Sequence, residues 1–112
     1  KSVVKELIEL LIEKGANLNI QDYQGYTALM FAMWKGKGEI AKLLIKNGSD
    51  LNLQNNGGRT ALFSAIMRGH EELAKLLIEY GTDLNLKDKA SRFTPGNIAK
   101  GFTDFERTVT GQ

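Results

Sequence analysis

Side-chain chemistry in this sequence would have to be done by very few groups. There is one histidine, His70, and there is no cysteine. That rules out a disulfide, a thiolate nucleophile and a thiolate metal site, and one imidazole alone cannot build a tetrahedral zinc centre. His70 follows Gly69 in a turn, where a structural role is expected of it: capping and bonding backbone groups. Glu71 and Glu72 are adjacent, so on a helix they diverge instead of converging on one reacting atom. They read as a solvated first turn that suits the helix dipole. Gly36–Lys37–Gly38 lacks the preceding strand, the spacing and the Ser or Thr of a phosphate-binding loop. No catalytic, metal-ligating or cofactor-binding residue emerges, and the chain reads as a non-enzyme without cofactors.

Composition agrees with an ordinary folded domain. The 112 residues are 42% hydrophobic and 25% charged, enough for one domain of modest core. A formal net charge of +2 gives no general attraction to nucleic acid. Lys35, Lys37, Lys42 and Lys46 occupy different faces and alternate with acids, so nucleic-acid binding is not expected. No apolar run approaches the roughly 18 residues that span a bilayer, so no membrane contact is expected either. The lack of cysteine suits a reducing compartment, and a cytoplasmic setting is the expectation. Lys1 is not an initiator methionine, which points to a trimmed or processed chain whose targeting signal can be missing.

What could position so few polar groups is a repeat. GYTALMFAMWKGKGEIAKLLIKNGSDLNLQ, from Gly25, aligns without a gap with GRTALFSAIMRGHEELAKLLIEYGTDLNLK, from Gly58, and about half the positions are identical. The same offset of 33 links Gly15, Gly48 and Gly81, and likewise Asn19, Asn52 and Asn85. Upstream, LIELLIEKGANLNI is the second half of an earlier unit. Each unit predicts a helix, a turn, a second helix and a loop. Thr27 and Thr60 suit N-caps, because a hydroxyl can accept from a first-turn amide that has no other partner. Ala28, Leu29 and Ala32, then Ala61, Leu62 and Ala65, place small and apolar residues toward neighbouring units. Gly36 and Gly69 end these helices. Ile40, Leu43 and Leu44, then Leu73, Leu76 and Leu77, mark the second helices at spacings of three and four, which Gly48 and Gly81 end. The turn-rich stretches that follow should project as hairpin-like loops.

This 33-residue unit resembles the ankyrin repeat, over nearly the whole chain. The family's Asp-x-x-Gly-x-Thr-Pro-Leu-His pattern is matched by Asp22, Gly25, Thr27 and Leu29, then by Gly58, Thr60 and Leu62. The family's Pro is replaced by Ala28 and Ala61, and its His by Met30 and Phe63. The Gly-His turn is kept at Gly69–His70 and replaced by Gly36–Lys37. The resemblance implies an all-α solenoid of helix–turn–helix units with projecting loops. Residues 1–21 would be a partial repeat, 22–54 and 55–87 full repeats, and 88–112 a degenerate repeat or cap. In that last segment Thr94 and Pro95 look like a repeat start. Phe102, Phe105 and Val109 then form a narrow apolar stripe, and residues 94–110 are expected to cover the last repeat.

The uncharged run YTALMFAMW, residues 26–34, then divides by direction. Met30, Phe31 and Met33 are expected to join Ala28, Leu29 and Ala32 in the stack at differing depth. In ankyrin-like folds the loop tips and the exposed side of each first helix form a concave strip that meets partners. Carried onto this chain, that strip is Tyr23, Gln24, Tyr26, Trp34 and Lys35 in one repeat and Asn56, Gly57, Arg59, Met67 and Arg68 in the next. Aromatic residues, Met and Arg are the types enriched at protein interfaces. The resemblance thus implies a non-catalytic module, monomeric by itself, that binds a protein partner through its concave face. Two other readings follow from the same resemblance: a spacer within a longer array, and an inhibitor or immunity-type protein that occludes an enzyme or toxin.

Overall fold

A computed structural model describes residues 3–86. The elements in order are α1 (Val3–Glu13), α2 (Ala28–Lys35), α3 (Gly38–Lys46), α4 (Ala61–Met67) and α5 (Glu71–Glu79), with no strand among the described residues. The architecture is therefore all-α, as the repeat predicts. The expected terminal unit at 94–110 lies outside the described residues.

The local signals act as their chemistry requires. The Met30 amide donates to Thr27 Oγ1 at 3.2 Å, and the Phe63 amide donates to Thr60 Oγ1 at 3.4 Å. Each bond satisfies one first-turn donor that the helix cannot. Gly36 closes α2 in the left-handed conformation, with φ at 70°. Gly36 is also tied to the next unit. A Cβ there would stand 2.7 Å from His70 Cε1, so the missing side chain leaves room for that ring. His70 therefore acts by filling space, not by capping. It is the N-cap residue of α5, but its side chain makes no cap hydrogen bond, and its buried Nε2 has no partner among the described residues.

Packing follows the repeat. First helices α2 and α4 lie side by side, each against its own second helix, α3 or α5, while α1 packs on α3 and α3 on α5. The core runs through this double layer. Leu29, Met30, Met33, Leu44, Leu62 and Leu77 are almost wholly removed from water. Burying each such side chain favours the fold by about 1.5–3 kcal/mol.

Two expectations about the first of these helices need correction. Ala28 and Phe31 do not join the stack; both are exposed, whereas Ala61 and Ser64, at the same positions in α4, are buried. The reason is the neighbour. Residues three apart share one side of a helix, and α4 has α2 beside it, while among the described residues no first helix stands on the other side of α2.

Candidate protein-interaction face

The loop tips are built by one repeated hydrogen-bond pattern. Asp22 Oδ1 accepts from the amides of Gln24 and Tyr26 at 2.9 and 2.8 Å. Asn55 Oδ1 does the same for Gly57 and Arg59 at 2.9 and 3.0 Å. The backbone closes each turn, with the Asp22 amide donating to the Tyr26 carbonyl and the Asn55 amide to the Arg59 carbonyl, both at 2.9 Å. Asn thus performs the turn-forming task of Asp without its charge. These are the hairpin-like loops expected, without strand geometry.

Neighbouring tips are then bonded to one another. The Asn56 amide donates to the Gln24 carbonyl at 2.9 Å, and Asn56 Nδ2 donates to the Tyr23 carbonyl at 3.2 Å. The approach is so close that a Cβ on Gly25, whose φ is 86°, would stand 2.8 Å from Asn55 Cα and Asn56 N. Behind the tips, Asn19 Oδ1 accepts from the Asp50 amide and Asn52 Oδ1 from the Asp83 amide, both at 2.7 Å. Gln21 Nε2 donates to the Gln54 carbonyl at 2.9 Å. Sequence reasoning missed these ties. The signal was present in the recurrent Leu18–Asn19–Ile20–Gln21 and Leu51–Asn52–Leu53–Gln54, where Asn and Gln return at the repeat offset.

On this scaffold the residues of the predicted strip fall into two groups, one at the loop tips and one at the far ends of the first helices. Tyr23 is 98% exposed at its tip, and Gln24, Asn56 and Gly57 are exposed beside it. Tyr26 is only half-buried, because its ring rests on Phe31 with centroids 5.2 Å apart. Phe31, expected in the core, is therefore an exposed part of this surface. Arg59 lies over the Phe63 ring at 4.9 Å and covers that buried side chain. At the far ends of the helices, Trp34 is 38% exposed and Met67 56%. The Arg68 guanidinium sits 4.7 Å from the Trp34 ring centroid, so the second repeat reaches back over the first. Lys35 is exposed in the last turn of α2. Among the described residues no three metal-ligating side chains come together, and no helix is long and apolar enough to cross a membrane.

The family model for ankyrin repeats matches residues 2–88, in three copies. The chain belongs to the ankyrin-repeat family. Ankyrin repeats are in general non-catalytic modules of protein–protein interaction. No curated protein matches the chain. In ankyrin terms, the face described here consists of two successive loop tips and the first helices behind them.

Proposed function

We propose that this ankyrin stack binds a protein partner through its concave face, using Tyr23, Gln24, Tyr26, Trp34, Lys35, Asn56, Arg59, Met67 and Arg68. One observation carries the reading: Arg68 of one repeat stacks over the partly exposed Trp34 of the previous one. A tryptophan and an arginine held together at the surface offer broad apolar area and a forked set of donors, with few rotors left to freeze on binding. Phe31 and Met67 add exposed apolar area on the same helices, and Tyr23 adds a ring at the loop tip. A cytoplasmic setting belongs to the same proposal.

The test compares the intact chain with Trp34→Ala in pull-downs from the native cell, and then in titrations of the recovered partner. Truncating a central aromatic is expected to cost about 2 kcal/mol or more of affinity, while the thermal midpoint falls less than for Leu44→Ala. Unchanged affinity together with a midpoint loss as large as that of Leu44→Ala would make Trp34 a core residue and end the proposal. A second reading, a spacer within a longer array, is favoured by the apolar face that α1 leaves open at Val3, Val4, Leu7, Leu10 and Leu11. Recovery of no partner at all would favour it.

A further inference from the structure

Where α2 and α4 end, four residues meet whose chemistry selects a kind of partner. Trp34 and Met67 hold equivalent positions in adjacent repeats, as do Lys35 and Arg68. The two helices pack side by side, so the backbones of each pair are separated by the spacing of neighbouring helices, about 8–10 Å. The result is a two-by-two corner with an apolar pair beside a cationic pair.

Charge on the molecule is segregated in the same sense. Helices α2 and α4 hold no acidic residue, and every glutamate among the described residues lies on α1, α3 or α5. The acids nearest in sequence, Glu39 beyond Lys35 and Glu71 and Glu72 beyond Arg68, lie in the first turns of α3 and α5; Asp22 is at the opposite end of α2, and one of its carboxylate oxygens already accepts from two backbone amides. Neither Lys35 nor Arg68 has an ion pair among the described residues. Arg68 Cζ lies 4.7 Å from the Trp34 ring centroid, and no acceptor among the described residues takes its N–H donors, the fork that a carboxylate accepts two bonds at a time.

We infer that the partner presents an acidic segment to this corner: an extended stretch of protein with two carboxylates about three residues apart and an apolar side chain between them. The spacing follows from the helix separation divided by the rise of a polyproline-II chain, about 3.1 Å per residue, in which side chains three apart return to the same face. One carboxylate meets the Arg68 fork, the other meets Lys35, and the intervening side chain lies on Trp34 and Met67. This rests on the concave-face reading and adds the chemistry of the partner to it. The competing explanation is that Lys35 and Arg68 merely balance the negative ends of α2 and α4. That role would show in stability and not in binding.

Trp34 is the chain's one tryptophan, so its emission reports this corner directly. The experiment selects a displayed library of random twelve-residue peptides against the folded chain. Enriched peptides are then titrated while Trp34 emission is followed. The expected peptides carry an acid–x–x–acid pattern around an apolar residue and shift the emission. They should lose about tenfold or more in affinity on Arg68→Glu, or when their own carboxylates become amides, with the thermal midpoint of Arg68→Glu close to that of the parent. Neutral or basic peptides that still shift Trp34 emission would overturn the acidic partner and leave the concave face standing. Acidic peptides that bind without moving the emission, equally well to Arg68→Glu, would overturn both. An empty selection overturns the acidic-segment inference, as does an oligothymidylate of the same length that binds more tightly than any peptide.

Discussion

Leu11, Leu44 and Leu77 occupy the same position in α1, α3 and α5, and water reaches them very differently. Leu11 is 48% exposed, Leu44 2% and Leu77 0%. The sequences around them are close: LLIEKGANLNI, LLIKNGSDLNL and LLIEYGTDLNL. The difference lies in what stands opposite. Helices α3 and α5 each pack on a first helix, α2 or α4, whereas among the described residues α1 packs chiefly on α3. An amphipathic pattern therefore chooses which face of a helix is to be covered, and a neighbour decides whether it is. This is the nearest-neighbour energetics of a stacked array.

The largest expected effect tests that contrast at one register position. Leu44→Ala should destabilise by about 2–5 kcal/mol, through lost burial and the cavity left behind. Leu11→Ala, at a half-exposed site, should cost under about 1 kcal/mol. Urea melts of the two variants and the parent would show it. Equal midpoints for the two variants would mean that α1 is covered in solution by something not seen among the described residues.

The same logic separates the first helices of the two repeats. Phe31 and Ser64 are equivalent, yet Phe31 is 48% exposed and Ser64 only 5%. Exchanging the types should reveal the difference. Ser64→Phe forces a ring into filled space beside α2 and is expected to cost about 1–3 kcal/mol. Phe31→Ser gives up a ring contact with Tyr26 and exposed area, about 1 kcal/mol or less. Thermal melts in which both changes cost alike would place Phe31 back in the stack.

Much of this was legible in the residues themselves. Caps, helix-ending glycines and the apolar spacing are local chemistry, and so Thr27, Thr60, Gly36 and the second helices stand where the pattern puts them. The equivalence of Tyr26 with Arg59, of Trp34 with Met67 and of Lys35 with Arg68 was legible as a set of positions, since a fixed offset aligns equivalent side chains. The exposure of Phe31 and Ala28 was not, because it depends on which neighbours a helix has and not on its own sequence. His70 was misread for a related reason. Its turn position suggests capping, but the space for its ring is made by Gly36, a residue of the preceding repeat. The Arg68–Trp34 stack likewise joins two repeats and cannot be read within either.

Smaller effects should come from the polar ladder between repeats. Asn52 Oδ1 accepts from the Asp83 amide at 2.7 Å and from Thr82 Oγ1 at 3.2 Å. Asn52→Ala removes one acceptor from two donors and is expected to cost about 1–2 kcal/mol. A chemical melt indistinguishable from the parent would show that water replaces the asparagine at no cost.

The finest distinction concerns two hydroxyls at one register position. Thr82 and Ser49 follow Gly81 and Gly48, and both are buried, at 6% and 7% exposed. Thr82 Oγ1 donates to Asn52 Oδ1, whereas Ser49 Oγ has no hydrogen-bonding partner among the described residues. The asparagine on the preceding loop is present in both cases, since Asn19 accepts from the Asp50 amide as Asn52 does from Asp83. What differs is whether the hydroxyl reaches it. A buried hydroxyl without a partner has lost its hydration and gained nothing in exchange, so removing it should be close to neutral or slightly stabilising. Removing a hydroxyl that is bonded should cost about 1 kcal/mol. Ser49→Ala is therefore expected to leave the urea midpoint unchanged or raise it slightly, and Thr82→Ala, which gives up the bonded hydroxyl and also a methyl, to lower it. If Ser49→Ala destabilises as much as Thr82→Ala, the serine hydroxyl has a partner in solution and the two repeats are tied alike.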